Sequence, residues 1–120
     1  MLIGDLDEER VQANAARLRA LGADAKPFPG PAQMTIKDMV KEVPKGTLAL
    51  AYIDPYNLEY LAFDIIETLA TLKVDFAVHF SVMDVSRNVE MELDENRSRF
   101  ERAAPGWRNA VSSLSSKEQL

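Results

Sequence analysis

The chain of 120 residues contains no cysteine and a single histidine, His79. Without cysteine it cannot form disulfides, bind metal through thiolates, ligate an iron–sulfur cluster or use a catalytic thiol. One histidine also excludes a zinc site built from several imidazoles. A magnesium or manganese site held by carboxylates stays open, but no clustered carboxylates favour it, so no metal ligands are assigned.

Basic residues are also scarce: 14 lysines and arginines stand against 19 acidic residues, giving a net charge of −5. Broad attraction to nucleic acid or anionic membrane needs a basic surface, so nucleic acid is expected only at a local patch. The longest apolar runs, 48–53 and 76–78, are too short to cross a bilayer. No charged-then-apolar leader opens the sequence. We therefore expect a cytoplasmic protein without a membrane segment.

Strand-like and helical patterns alternate along the chain. Apolar runs predict strands at 2–3, 23–28, 47–53 and 74–80, and apolar stripes of helical spacing predict helices after Asp7, over 34–43 and over 63–70. Asp7 is the expected N-cap of the first helix and Gly22 its stop, and the proline-rich segment 27–31 is expected to be loop. A single long helix is predicted from Val85 through the charged stretch to residue 104.

The run 47–53 shows no polar alternation, which predicts a strand buried on both faces of a parallel sheet. The predicted fold is therefore α/β, with an open, mostly parallel sheet flanked by helices. Residues 1–107 are expected to form one domain and residues 108–120 a frayed tail.

Polar side chains follow three of the predicted strands, at Asp5, at Asp54 and at His79. Because the carboxyl ends of parallel strands meet at one edge of a sheet, we expect Asp5 and Asp54 to open into one pocket. Asp5 is placed to accept hydrogen bonds from the ribose of a nucleoside cofactor. The alternative is that Asp5 and Asp7 only start a helix.

The turn Asp54-Pro55-Tyr56-Asn57 is the main candidate site. A charged residue directly after an apolar strand must face a cavity, a partner or solvent. Asp54 offers an acceptor for an amine proton, Pro55 stiffens the turn, and Tyr56 offers a ring on which a planar substrate can stack. An aspartate-proline turn with a packed tyrosine is the alternative.

Three further polar residues are expected near the same edge of the sheet. A lone histidine in an apolar strand is more often a satisfied structural side chain than a base, so His79 is not assigned a catalytic role. Arg87 and Asn88 are candidates for binding an anion or a carbonyl of the substrate, with a solvated helix face as the alternative.

Several blocks resemble the three-Cys-motif partner proteins. They are Gly4-Asp5-Leu6-Asp7-Glu8-Glu9-Arg10-Val11, Ala51-Tyr52-Ile53-Asp54-Pro55-Tyr56-Asn57-Leu58, Ile65-Ile66-Glu67-Thr68-Leu69-Ala70, Met83-Asp84-Val85-Ser86-Arg87-Asn88 and Ala104-Pro105-Gly106-Trp107. The resemblance covers nearly the whole chain, and the order of the blocks is more specific than any one of them.

The resemblance implies a Rossmann-like, methyltransferase-like fold that uses S-adenosylmethionine, with Asp5 at its ribose. In related amino-methyltransferases an Asp/Asn-Pro-Pro-aromatic turn holds the target amine, and Asp54-Pro55-Tyr56 is similar with one proline fewer. Catalysis is thus assigned to Asp54, Pro55 and Tyr56, and substrate binding to Asn57, Arg87 and Asn88, with a nucleobase amine as one possible acceptor. The family's glycine-rich loop does not precede Asp5, so an N-terminally incomplete domain is expected.

Two other functions stay open from the sequence. The family resemblance also implies a non-catalytic module that docks a three-Cys-motif iron–sulfur protein. A phospho-receiver domain would place magnesium at Asp5 and Asp7, phosphorylate Asp54 and use Ser81 as a switch. It would also need a lysine at the end of a fifth strand to neutralise the phosphoryl group, and no lysine occurs between Lys73 and Lys117.

Overall fold

A computed structural model describes residues 1–115 of the chain, and its account of side-chain burial extends through residue 112. The elements in order are β1 (Leu2–Asp5), α1 (Glu8–Ala20), β2 (Lys26–Pro29), α2 (Ala32–Glu42), β3 (Leu48–Ile53), a 3-10 helix (Leu58–Tyr60), α3 (Phe63–Leu69), β4 (Lys73–Val78), α4 (Val82–Arg87), α5 (Val89–Leu93), α6 (Phe100–Ala103) and α7 (Trp107–Ser115). The predicted α/β class is confirmed. None of the described helices has the length and apolar character needed to cross a membrane.

The four strands form two parallel pairs, β1 with β2 and β3 with β4. Within the predicted domain of residues 1–107 the chain divides into two compact units. Unit 1 comprises Met1–Ala49 and Asp64–Asp75, and unit 2 comprises Leu50–Phe63 and the chain from Phe76 onward. Asp5 thus belongs to unit 1 and Asp54 to unit 2, and each is described within its own unit.

The first helix of unit 1 follows its local signals. The Asp7 side chain accepts a hydrogen bond from the Arg10 amide at 2.9 Å and caps α1, as predicted. Gly22 has a φ of 87° directly after the helix end, a conformation that favours glycine. Val11 and Ala15 on the inner face of α1 are buried, and the other buried apolar residues of this unit are Ala25, Ile36 and Ile65.

The loop predicted for residues 27–31 is wrong for residues 27–29, because β2 contains Pro27 and Pro29, whereas Gly30 and Pro31 lie outside any strand or helix. In its register Pro27 lies opposite Ile3 and Pro29 opposite Asp5. The Lys26 amide donates to the Met1 carbonyl just before β1, and the Gly30 amide donates to the Asp5 carbonyl at its end, both at 2.9 Å. The alternate positions 27 and 29 therefore turn their nitrogens away from β1. A proline is tolerated where a strand needs no donor, at the open edge of a sheet.

The prediction that β3 is buried on both faces is also wrong. Leu48, Leu50 and Tyr52 are 73%, 71% and 70% exposed, while the residues between them are half-buried. Alternating exposure shows that β3 is covered on one face only. An unbroken apolar run does not distinguish a strand covered by helices from one that presents an apolar face to a partner.

The predicted long helix after residue 85 is wrong as well, since the structure has α4, α5 and α6 there instead. Asp94 takes an extended conformation at the end of α5, with φ −75° and ψ 116°. The charged stretch that suggested a solvated helix contains the buried Glu92, around which the chain folds back. Residues 108–115 of the predicted tail belong to α7, and residues 116–120 lie outside the described part of the chain.

The core of unit 2 lies under the segment that follows β3. Leu58, Leu61 and Ala103 are buried, with Ile53, Val85 and Phe100 packed against them. The Phe100 ring meets Phe80 and Trp107 edge to face, with centroids 5.6 Å and 5.1 Å away. This core fixes the chain immediately after Asn57 and so supports the candidate turn.

Candidate functional site

Asp54 and His79 are each the first residue after a strand, β3 and β4 respectively. The His79 amide donates to the Ile53 carbonyl at 2.8 Å and continues the pairing of the two strands to their ends. The two side chains consequently meet, with Nδ1 of His79 and Oδ1 of Asp54 2.5 Å apart. Since a carboxylate only accepts hydrogen bonds, Nδ1 carries the proton and Nε2 is left as the second polar atom of the ring.

The contact between His79 and Asp54 was not predicted, although the sequence contains a pattern that indicates it. A polar residue at the same point after each of two parallel strands predicts that the two side chains are neighbours. Both are about half exposed, with 59% of the His79 side chain and 54% of the Asp54 side chain accessible. The pair is therefore open to a ligand from solvent.

Tyr56 is 93% exposed, so the alternative of a packed tyrosine is wrong. Pro55 before it and Asn57 after it are half-buried, which anchors the backbone on either side of the free ring. The Asn57 side chain accepts a hydrogen bond from the Glu59 amide at 3.0 Å and caps the 3-10 helix. The turn thus presents one carboxylate and one aromatic ring to solvent, while its asparagine oxygen is used locally.

Asp84, on α4, ties the turn to the rest of unit 2. Its Oδ2 accepts a hydrogen bond from the Leu58 amide at 3.1 Å and lies 3.2 Å from Nη1 of Arg99. The Asp84 amide donates to Oγ of Ser81, which caps α4 at 3.3 Å. One carboxylate therefore joins the backbone just after the turn, the start of α4 and a charged partner. The pattern of the sequence does not single out Asp84.

Arg87 and Asn88 lie at the end of α4. The Asn88 side chain donates to the carbonyl and to Oδ1 of Asp84, at 2.8 Å and 3.2 Å. Asn88 is thus linked to the turn through Asp84, and its donors are engaged within the protein. Arg87 is exposed on the same helix. Their assignment to substrate binding remains a prediction.

Glu92 is, after Asp84, a second residue whose role the sequence did not predict. It is only 3% exposed, although it lies in a charged stretch that was predicted to be a solvated helix. Its carboxylate accepts hydrogen bonds from Nε of Arg99 at 2.7 Å, the Phe100 amide at 3.0 Å and the Ser98 hydroxyl at 3.3 Å. Burial opposes ionisation, but the hydrogen bonds and the Arg99 charge outweigh it, and the pKa of Glu92 lies below its ordinary value. Arg99 thereby joins Glu92 to Asp84.

Asp5 occupies the end of β1 in unit 1 and is half-buried. Its Oδ1 accepts a hydrogen bond from the Asp7 amide at 2.9 Å, and its Oδ2 lies 3.9 Å from the Arg10 guanidinium. The local contact supports the alternative in which Asp5 helps to start α1. A carboxylate has about four acceptor positions, so capacity for a ribose hydroxyl remains.

Chemically, the turn and His79 can hold a polar hydrogen and a flat group at the same time. Asp54 accepts a proton-bearing nitrogen, His79 fixes the direction of the carboxylate, and the Tyr56 ring stacks on a planar or cationic group. Among residues 1–115, no cluster of three or more histidine, aspartate or glutamate side chains is arranged to hold a metal ion.

Comparison with known proteins adds no relative: no family model, no curated protein and no solved structure matches the sequence. The likeness to the three-Cys-motif partner proteins rests on the sequence blocks alone and remains a prediction.

Proposed function

We propose that unit 2 binds the amino group of a planar substrate at Asp54 and Tyr56, as the acceptor site of a methyltransferase-like domain of the three-Cys-motif partner family. The observation that carries this proposal is the contact of 2.5 Å between His79 and Asp54, in the same turn as Tyr56, a residue that is 93% exposed. An oriented carboxylate next to a free aromatic face is the arrangement that a planar amine requires. The Rossmann-like fold is part of the same proposal.

Asp54 supplies the acceptor for an amine N–H, and this hydrogen bond turns the nitrogen lone pair away from the carboxylate. Tyr56 limits the tilt of the bound group by stacking. His79 keeps the carboxylate from rotating, which lowers the entropy that binding would otherwise cost. These three side chains together bind and orient a substrate.

S-adenosylmethionine is the cofactor that the family resemblance implies, and the described residues fit only one part of it. Asp5 retains acceptor capacity for the ribose. The five glycines, at positions 4, 22, 30, 46 and 106, are scattered and form no glycine-rich loop for the methionine part. The described residues therefore do not account for binding of the methionine part, and amine binding at Asp54 and Tyr56 does not depend on the cofactor.

Adenosine, a planar molecule with an exocyclic amine, tests the acceptor site by NMR titration. We expect shifts of the Tyr56 ring and His79 imidazole signals, and loss of binding in Asp54→Asn and Tyr56→Ala. Tyr60→Ala is the matched control, because Tyr60 is a 54% exposed tyrosine of the same unit outside the turn. Shifts that persist in both turn variants, or no shift at all, would contradict the proposal. Calorimetric titration with S-adenosylmethionine tests cofactor binding independently.

A docking module for a three-Cys-motif iron–sulfur protein is the second candidate, favoured by the exposed apolar side chains of α4 and α5. Val82, Met83, Val89 and Leu93 are 67%, 66%, 49% and 62% exposed. Apolar side chains grouped on short neighbouring helices are typical of a protein interface. Co-purification lost in Met83→Asp but kept in Asp54→Asn would support docking, and the reverse pattern would contradict it.

A further inference from the structure

Strand β3 has an open edge whose orientation follows from one hydrogen bond. The Ile53 carbonyl accepts from the His79 amide, so Ile53 directs its backbone groups toward β4 and its continuation. Backbone direction alternates along a strand, and Ala49 and Ala51 therefore also face β4. Leu48, Leu50 and Tyr52 direct their N–H and C=O groups to the other edge. Among the described residues β3 pairs with β4 alone.

This edge carries none of the features that usually keep strands apart. The sequence from Leu48 to Ile53 has no charge and no proline. The three residues whose backbone groups face this edge, Leu48, Leu50 and Tyr52, are about 70% exposed. The open edge of β2, by contrast, is occupied by Pro27 and Pro29. An unprotected apolar edge of six residues is a template for pairing with another strand.

The geometry points to antiparallel pairing of β3 with β3 of a second copy of this chain, about a twofold axis at Leu50. In this register Leu50 lies opposite Leu50 of the second copy, and Leu48 lies opposite Tyr52. These are the residues with free backbone groups, and each such pair exchanges two N–H···O bonds. Ala49 lies opposite Ala51 of the second copy, at the close positions where small side chains fit.

The charges at the two ends of β3 favour a second copy of the chain as the partner strand, and they favour antiparallel pairing. Lys45 precedes β3 and Asp54 follows it, with no charged residue between them. Antiparallel pairing of two copies brings the basic end of one strand to the acidic end of the other, whereas parallel pairing would set like charges side by side. Identical chains joined about a twofold axis also form a closed dimer.

Sedimentation equilibrium of the full chain over a concentration series tests this inference independently of any amine or cofactor binding. We expect the wild type to dimerise, and Leu50→Lys and Leu50→Glu each to raise the dimer dissociation constant by at least about tenfold, because like charges then face each other across the axis. Mixing the two variants should restore association, since opposite charges then meet. Leu21→Lys is the matched control at a leucine that is 84% exposed in α1's C-cap.

Circular dichroism confirms that the variants are folded before association is compared. A wild type that stays monomeric throughout the series would overturn the inference. So would a dimer that Leu50→Lys leaves intact. Failure of the folded lysine and glutamate variants to associate with each other would overturn the twofold register, because only that register sets position 50 opposite itself.

Discussion

His79 donates a hydrogen bond from Nδ1 to Oδ1 of Asp54 across 2.5 Å, although the two residues are 25 positions apart in the chain. Each side chain stands at the first position after its strand, so pairing of β3 with β4 brings them together. The relation gives the ring a defined tautomer and the carboxylate a defined direction.

The tautomer of His79 can be observed directly. We expect the neutral ring to hold the Nδ1–H form in the wild type, because Asp54 accepts that proton. Asp54→Ala should shift the ring toward the Nε2–H form. Two-bond proton–nitrogen NMR correlations distinguish the forms. Asp75→Ala, at another exposed aspartate, should leave the wild-type pattern, and an Nε2–H ring in the wild type would show that the contact is not made in solution.

Glu92 should make stability fall in acid. Its folded-state pKa lies below the ordinary value of 4.5, so its contribution is fully present above that value and is lost as pH falls through the folded pKa. Glu92→Gln should cost about 3 kcal/mol at neutral pH, because Arg99 then lacks its buried partner. It should also flatten the acid dependence of the unfolding free energy in urea titrations. Glu90→Gln, at an exposed neighbour, should do neither.

Phe100 should be a main source of stability in unit 2, since its ring contacts both Phe80 and Trp107. Phe100→Ala should lower the free energy of unfolding by about 2–3 kcal/mol, somewhat less than for a fully buried ring. Trp107 is the only tryptophan, so its fluorescence follows this transition in urea. Tyr60→Ala, at an exposed ring, should change the midpoint little. An equal loss in both variants would contradict the assigned core.

Two glycines should respond differently to a methyl group. Gly22 has a φ of 87° with no atom near the position of a Cβ, so Gly22→Ala should cost about 1 kcal/mol from backbone strain alone. At Gly4 a Cβ would lie 3.6 Å from the Phe28 carbonyl and 3.7 Å from the Met39 sulfur, which are ordinary contacts. Gly4→Ala should therefore be neutral or stabilising in thermal unfolding followed by circular dichroism. The opposite ranking would contradict the turn at Gly22.

Where a signal is local, the sequence predicted the structure. The cap at Asp7, the helix that follows it and the stop at Gly22 each depend on neighbouring residues only. The same holds for the turn at Asp54, because an apolar strand followed by aspartate and proline must end there. The prediction that Asp54 faces a cavity, a partner or solvent agrees with its side chain, which is 54% exposed.

Where a signal depends on distant partners, the sequence predicted the wrong structure. Pro27 and Pro29 argue against a strand until it is known that their nitrogens face the open edge. Glu92 reads as a solvated residue until Arg99 and the Phe100 amide are seen to enclose it. In both cases the deciding contact depends on how the chain folds back, which composition and periodicity do not encode.

The sequence by itself determined the α/β class, the ends of the first helix and the place of the candidate turn, because short-range backbone preferences fix them. Only the tertiary structure decided that His79 holds Asp54, that Asp84 and Glu92 share Arg99, and that β3 leaves one face uncovered. Those features arise from packing between segments far apart in the chain, where burial and hydrogen-bond geometry act together.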